Sequence, residues 1–272
     1  MSDSSLAPRS VLWRDTGMVR VGSFRAHPSH PEFARAGQHV ATPEFVFPRR
    51  AVRIHREDRA AFVADANQVV FYNPGDRYER SAVSEEGDRC EWFGVTAAAG
   101  LDRPFAHAVG PCDLGTYLMQ RRIVVRLMRG EVDDLQLDEC VLELLARVQG
   151  PTPVLAVARP PKPAREWVAQ VQEILALRAA EPWTLRQLGA AVGASPFALC
   201  RAFRALTGES LHRYRTGLRL RLALERLADP KSDLTGLAGD LGYSSHSHFS
   251  AAFRRAFGMT PAQFRGVPRR RT

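Results

Sequence analysis

The stretch that decides the C-terminal fold is Leu234-Thr-Gly-Leu-Ala-Gly-Asp-Leu-Gly-Tyr-Ser-Ser-His-Ser-His-Phe-Ser-Ala-Ala-Phe-Arg-Arg-Ala-Phe-Gly258. Leu234, Leu237, Ala238 and Leu241 recur at helical spacing and define one apolar face. Gly242 follows, the residue type that admits the left-handed backbone of a sharp turn. Ser244 or Ser245 can cap the next helix. Phe249 and Phe253 are four apart, and Phe257 extends their stripe. The pattern reads helix, glycine turn, helix.

The layout occurs twice. In Thr184-Leu-Arg-Gln-Leu-Gly-Ala-Ala-Val-Gly-Ala-Ser-Pro-Phe-Ala-Leu-Cys-Arg-Ala-Phe-Arg-Ala-Leu-Thr-Gly208, the first apolar face is Leu185, Leu188 and Val192. Gly193 makes the turn, Ser195 caps, and Pro196 opens the second helix where its missing N–H costs nothing. Leu199 and Phe203 face the first helix. One such hairpin is a weak signal. Two copies about fifty residues apart, joined by a helix over 211–227, are far more specific. Further helices are expected over 165–180 and 261–265. The region is thus an all-α domain built on two helix-turn-helix units.

Upstream, residues 150–164 contain Pro151, Pro153, Pro160, Pro161 and Pro163. Proline pushes the chain toward extended geometry, so this segment reads as a linker between two domains. Before it, residues 52–56 alternate with period two, and 68–73 and 91–95 are short strand-forming runs beside turn signals. Short strands with frequent turns suggest a small barrel or sandwich. Helices are expected over 115–129 and 134–148. The second carries a broad stripe of Leu135, Leu137, Val141, Leu142, Leu144, Leu145 and Val148. That stripe fits packing on the barrel and a dimer seam equally well.

Charge divides along the same boundary. Residues 160–272 hold 18 basic and 8 acidic side chains, a net of +10, whereas residues 1–159 hold 20 and 21, a net of −1. A basic domain beside a neutral one suggests a polyanion partner for the basic half. No run of about 18 uncharged apolar residues occurs, and residues 1–8 lack an apolar signal core, so a cytoplasmic protein is expected. The cysteines, Cys90, Cys112, Cys140 and Cys200, are scattered without a CxxC pair, which argues against structural zinc and a disulfide framework. His27, His30, His39 and His55 lack the spacing of a metal-binding barrel, so no metal and no cofactor are expected. No nucleophile elbow, phosphate loop or dinucleotide fingerprint is present, and no catalytic residues are assigned.

Gly242-Tyr-Ser-Ser-His-Ser-His-Phe-Ser-Ala-Ala-Phe-Arg-Arg-Ala-Phe-Gly-Met-Thr-Pro-Ala-Gln-Phe-Arg265, together with Leu185, Leu188, Gly193, Ser195, Leu199, Arg201, Phe203, Gly208, Tyr214, Arg219, Ala223 and Leu227, resembles the DNA-binding domain of the AraC/XylS family of transcription regulators. The close resemblance covers residues 183–265. The N-terminal half resembles that family's cupin-like sensor domain more loosely. The implied fold is α+β in two domains. A cupin-like β-barrel with two following helices spans 1–149, a Pro-rich linker spans 150–164, and a homeodomain-like double helix-turn-helix domain spans 165–272.

The resemblance also implies a mechanism. One subunit would present two recognition helices to successive major grooves about 34 Å apart, with the helix over 211–227 as the ruler. Carried over by position, Phe197, Cys200 and Arg201 face bases in the first unit, and His246, Ser247, Ser250 and Ala251 in the second. Arg201 can read a guanine edge with two parallel hydrogen bonds. Cys200 and Ala251 depart from the longer polar residues common at such positions. Arg204, Arg254 and Arg255 suit phosphates. His248 suits a structural role, and Arg219 suits either a buried ion pair or DNA. Arg269, Arg270 and Arg271 read as a solvated tail adding nonspecific attraction.

The implied partners are double-stranded DNA, RNA polymerase, a small-molecule effector and a second copy of the chain, in a nucleoid-associated regulator acting more often by activation. An effector pocket inside the barrel would draw on Phe45, Phe47, Arg53, Tyr72, Tyr78 and Trp92. Two rivals stay open: an architectural DNA-binding protein without an effector, and a cupin enzyme fused to a DNA-binding domain.

Overall fold

The structure, a computed structural model, describes residues 8–31, 33, 42–56, 61–99, 105–149, 161–228 and 236–265. His39, Leu234, residues 150–160 of the linker and the arginines at 269–271 lie outside them. The chain divides into two compact units, Met1–Val154 and Leu155–Thr272.

The first unit is built of antiparallel strands. Six form one sheet in the order β1 (Arg9–Asp15), β2 (Val19–Ala26), β8 (Asp88–Val95), β3 (Glu44–Pro48), β6 (Gln68–Tyr72) and β9 (Val109–Pro111). Three form a second sheet in the order β5 (Phe62–Ala64), β4 (Val52–Arg56) and β7 (Tyr78–Ala82). Helices α1 (Leu114–Met128) and α2 (Asp134–Val148) follow, opened by Asp113 and Asp133, whose carboxylates accept from the Thr116 and Gln136 amides. The order of strands followed by two helices is the one expected from the sequence, and the strands form two sheets.

Strand alternation gives the large sheet two unlike faces. On one, Val46, Val70, Tyr72, Cys90 and Trp92 pack against Val52, Ile54 and Ala64 of the small sheet. On the other, Phe45 stacks on Phe93 at 5.3 Å between ring centroids, with Phe47 edge-on to Phe93 at 5.7 Å. Glu91 shares that second face, where Gln120 of α1 donates to it at 3.1 Å. The expected pocket set is therefore split. Phe45 and Phe47 belong to the helix-covered face, while Tyr72, Tyr78 and Trp92 belong to the space between the sheets. Arg53 needs correction too. On β4, Val52, Ile54 and Arg56 alternate inward and are buried, which leaves Arg53 on the outer face with His55.

Two buried arginines occupy the space between the sheets instead. Arg56 lies over the Tyr72 ring at 4.6 Å and pairs with Asp76 at 3.1 Å. Arg80 lies over Phe24 at 4.1 Å and pairs with Asp88 at 3.2 Å. Tyr72 and Tyr78 touch at 4.6 Å. The interior is thus polar at its heart, and its charges are held by aromatic faces as well as by carboxylates.

On α2 the broad stripe is mostly spent within the unit. Leu137, Val141, Leu144, Leu145 and Val148 are buried, whereas Leu135 stays 69% exposed and Leu142 half-buried. Only Leu135 and Leu142 remain for a seam.

The second unit is helical: α3 (Lys162–Leu177), α4 (Leu185–Val192), α5 (Pro196–Thr207), α6 (Leu211–Ala228), α7 (Leu237–Asp240), α8 (His246–Phe257) and α9 (Pro261–Phe264). Helix α3 starts inside the expected linker, because Pro163 falls in its first turn, where proline is tolerated. Helix α7 is a single turn, shorter than the apolar periodicity suggests.

Burial pushes the Glu44 carboxyl up to about 7, against the pull of Arg20. A folded value above the unfolded one favours the fold at low pH, and that contribution is lost as pH rises from about 4.5 toward 7. Replacement by Glu44→Gln should therefore stabilise the protein by about 2 kcal/mol near pH 8 and by little near pH 5. Thermal melts of both proteins at the two pH values check this. An equal offset at both would contradict it.

Candidate nucleic-acid interface

Each helix-turn-helix unit is closed by capping chemistry that the chain spells out locally. In the first, Thr184 and Gln187 form a reciprocal capping box at the start of α4. Gly193 adopts φ 68°, and Ser195 then accepts from the Ala198 amide to open α5. In the second, Gly242 adopts φ 74° and Ser245 accepts from the His248 amide to open α8. These caps satisfy amides that a helix start leaves unpaired.

The same periodicity that buries one face of each second helix exposes the other. Leu199, Ala202 and Phe203 are buried on α5, and Phe203 meets Tyr214 of α6 edge-on at 5.2 Å. The Tyr214 hydroxyl accepts from Gln172 of α3 at 3.0 Å. On α8, Phe249, Phe253 and Phe257 form a continuous aromatic chain, with centroids 5.8 and 4.6 Å apart. Leu185 departs from expectation: it begins α4 on the solvent side, and Leu188 and Val192 carry the contact.

The outward faces hold the predicted contact residues. Phe197, Cys200, Arg201 and Arg204 are exposed on α5, and His246, Ser247, Ala251 and Arg254 on α8, with Ser250 half-buried. Phe197 is 72% exposed, and the Arg201 guanidinium lies over its ring at 5.7 Å. These two residues are four apart, so the ring is a platform that can orient the guanidinium. Neither α5 nor α8 contains an acidic residue, and Arg201, Arg204, Arg254 and Arg255 make no ion pair among the described residues. His248 serves the turn: its Nδ1 lies 3.1 Å from the Ser244 hydroxyl, and its ring meets Tyr243 edge-on at 5.4 Å.

Arg219 of α6 is held by backbone carbonyls and not by a carboxylate among the described residues. Its Nε donates to the Ala179 carbonyl at 2.6 Å, and Nη2 to Ala180 and Glu181 at 3.0 and 3.4 Å. Its Nη1 donates to the Gly242 carbonyl at 2.9 Å. One side chain therefore binds the segment before α4 to the turn of the second unit. Arg215, one turn earlier, donates to the Trp183 carbonyl at 2.9 Å. Burial first, then the charge of Arg215, holds Arg219 below the usual arginine range. Sequence reasoning missed this clamp because carbonyl partners leave no residue-type signature.

A family described as a helix-turn-helix domain matches residues 188–266. The regulatory protein SoxS of Salmonella typhimurium is 40% identical over 73 residues, covering 27% of this chain and 68% of that protein. The chain belongs to the AraC/XylS family of transcription regulators. An AraC-like transcription regulator of Streptomyces antibioticus is 34% identical over 89 residues, and the matched region spans 33% of this chain and only 29% of that relative's length. Among solved structures, the C-terminal domain of AraT from Geobacillus stearothermophilus is 25% identical, covers 41% of this chain and 89% of that one, and superposes with a TM-score of 0.35. In the AraC-type domain of this chain, the matched residues run from α4 to α9, so they take in both turns and the whole of α6.

The two turn glycines should respond differently to a methyl group. A Cβ on Gly193 would meet nothing within 4 Å, whereas one on Gly242 would lie 2.1 Å from the Ala180 carbonyl oxygen and 2.6 Å from Arg219 Nη2. Gly193→Ala should then cost only the backbone term, about 1 kcal/mol. Gly242→Ala should cost at least about 1–3 kcal/mol more, because the clamp must open. Urea unfolding of the two variants measures the difference, and equal losses would remove the clamp from the account.

Proposed function

We propose that this chain is a sequence-specific DNA-binding transcription regulator whose helices α5 and α8 enter successive major grooves on one face of the duplex. The observation that carries the reading is the pair of exposed, acid-free helix faces with four arginines that make no ion pair among the described residues, presented by two glycine turns that α6 joins. Bases are read by Phe197, Cys200 and Arg201 in the first unit, and by His246, Ser247, Ser250 and Ala251 in the second. Arg204 and Arg254 hold phosphates. The small side chains of Cys200 and Ala251 leave Arg201 as the strongest single base reader. It gains from the Phe197 ring, which restricts its guanidinium before DNA arrives.

The residues 1–149 serve as a sensing and dimerising domain, and residues 150–164 connect it to the DNA-binding domain at 165–272. The protein acts in the cytoplasm on the nucleoid as a homodimer, responds to a small-molecule effector and activates transcription through RNA polymerase. An effector does this only by binding one arrangement of the subunits or domains better than the other. The seam runs through the exposed Leu135 and the half-buried Leu142 of α2.

Selection of bound duplexes from a random pool tests the DNA reading. Arg201→Ala should relax one guanine position and lower affinity for the selected site by about tenfold to a hundredfold. Arg254→Ala should weaken binding to all duplexes alike and reduce the salt slope by about one unit. If no motif emerges and binding only follows salt, the reading fails. Light scattering tests the seam: Leu135→Glu with Leu142→Glu should give monomers of unchanged fold by circular dichroism, and a persistent dimer would move the seam elsewhere.

A further inference from the structure

The outer face of the large sheet carries a row of like charges. Register pairs Arg9 of β1 directly with Arg25 of β2, and Arg25 directly with Arg89 of β8. Three arginines therefore stand side by side across three strands. Like charges directly opposite one another destabilise a sheet. Arg49 and Arg50 continue the row from the end of β3, since both of their amides donate to the Arg89 carbonyl. Arg121 of α1 closes it from above.

The acids nearby are already committed. Glu91 binds both Arg49 and Arg121, and all three side chains are buried to about 90% or more. Glu86 pairs with Arg50 at 3.0 Å, and Asp88 with Arg80 at 3.2 Å on the opposite face. The side chains of Arg9, Arg25 and Arg89 make no ion pair or hydrogen bond among the described residues. Burial and the neighbouring Arg49 hold the Arg89 guanidinium below its usual range. Sequence reading missed the row because cross-strand register is invisible in a single chain.

These six arginines line one cleft of about 760 Å³ together with Glu86, Asp88 and Glu91, and Val11, Trp13, Val124 and Met128 form its apolar wall. The volume suits a small organic ligand, and the concavity does not suit a duplex. Guanidiniums bind carboxylate and phosphate oxygens in pairs, in a fixed fork geometry. We infer that this cleft binds a small organic anion carrying two or more negative charges, a phosphate ester or polycarboxylate with an apolar body. The anion would neutralise the row and bridge the strands to α1, against which α2 packs. This inference names the site of the effector in the reading above and rests on that reading only for the consequence, not for the binding.

Thermal melts of the full-length protein at constant ionic strength test it, with pyrophosphate and citrate as probes and chloride as control. Either probe should raise Tm by roughly 5 °C at saturation, and the double variant Arg25→Ser with Arg89→Ser should lose that rise while retaining DNA affinity. A response to pyrophosphate alone assigns the cleft to phosphates, and to citrate alone, to carboxylates. No rise in the wild type, or the same rise in the variant, overturns the site. A variant that loses DNA affinity but keeps the rise makes the row a nucleic-acid contact and overturns it too. DNA affinity with and without the effective probe then separates the two readings: an anion that binds the cleft but leaves DNA affinity unchanged keeps the site and defeats the effector role.

Discussion

The guanidinium of Arg219 is the interaction on which the DNA-binding domain depends. It reaches from the middle of an 18-residue helix to carbonyls on both sides, Ala179, Ala180 and Glu181 before the first unit and Gly242 in the turn of the second. A helix of that length spans about 27 Å and is stiff, so its two ends are a fixed distance apart. Stiffness alone does not orient two hairpins. The clamp does, because five N–H groups in one plane can satisfy several carbonyls only in one arrangement. Tyr214 completes the fixing at the other end, where it packs on Phe203 and accepts from Gln172. The exposed faces of α5 and α8 are positioned through these contacts.

The N-terminal unit solves a different problem. Its large sheet must be covered on both faces, and both faces carry charge. Between the sheets, Arg56 and Arg80 are tolerated because aromatic rings and carboxylates surround them. Under the helices, Glu91 holds Arg49 and Arg121 together. Removing one partner of such a buried set leaves an uncompensated charge, which is why these groups specify one packing even if their net contribution to stability is small. The row of Arg9, Arg25 and Arg89 is the exception, three like charges in register whose side chains make no ion pair among the described residues.

What was legible in the sequence was local. Gly193 and Gly242, Ser195 and Ser245, and the four-residue spacing of Leu199 with Phe203 and Phe249 with Phe253 act within one or two helical turns, so they announce the hairpins directly. The repeat then announces the domain. Partners distant in sequence were not legible. Arg219 gave no sign of its carbonyls, which lie 23 to 40 residues away. Alternation alone could have separated Phe45 and Phe47 from Val46, but it could not say which face the helices would cover. The same limit led to Arg53 where Arg56 faces inward. On α2 the stripe was legible, but its partition between core and surface was not, because that depends on how much of the helix α1 and the sheet can cover.

The most direct test of the account is hydroxyl-radical footprinting of the full-length protein on a selected duplex. Two rigidly spaced readers predict, for each protomer, two protected patches on one face of the DNA, centred about ten base pairs apart. A single patch per protomer, or patches on opposite faces, would contradict it, since α6 would then not be setting the distance between two helices that both engage DNA.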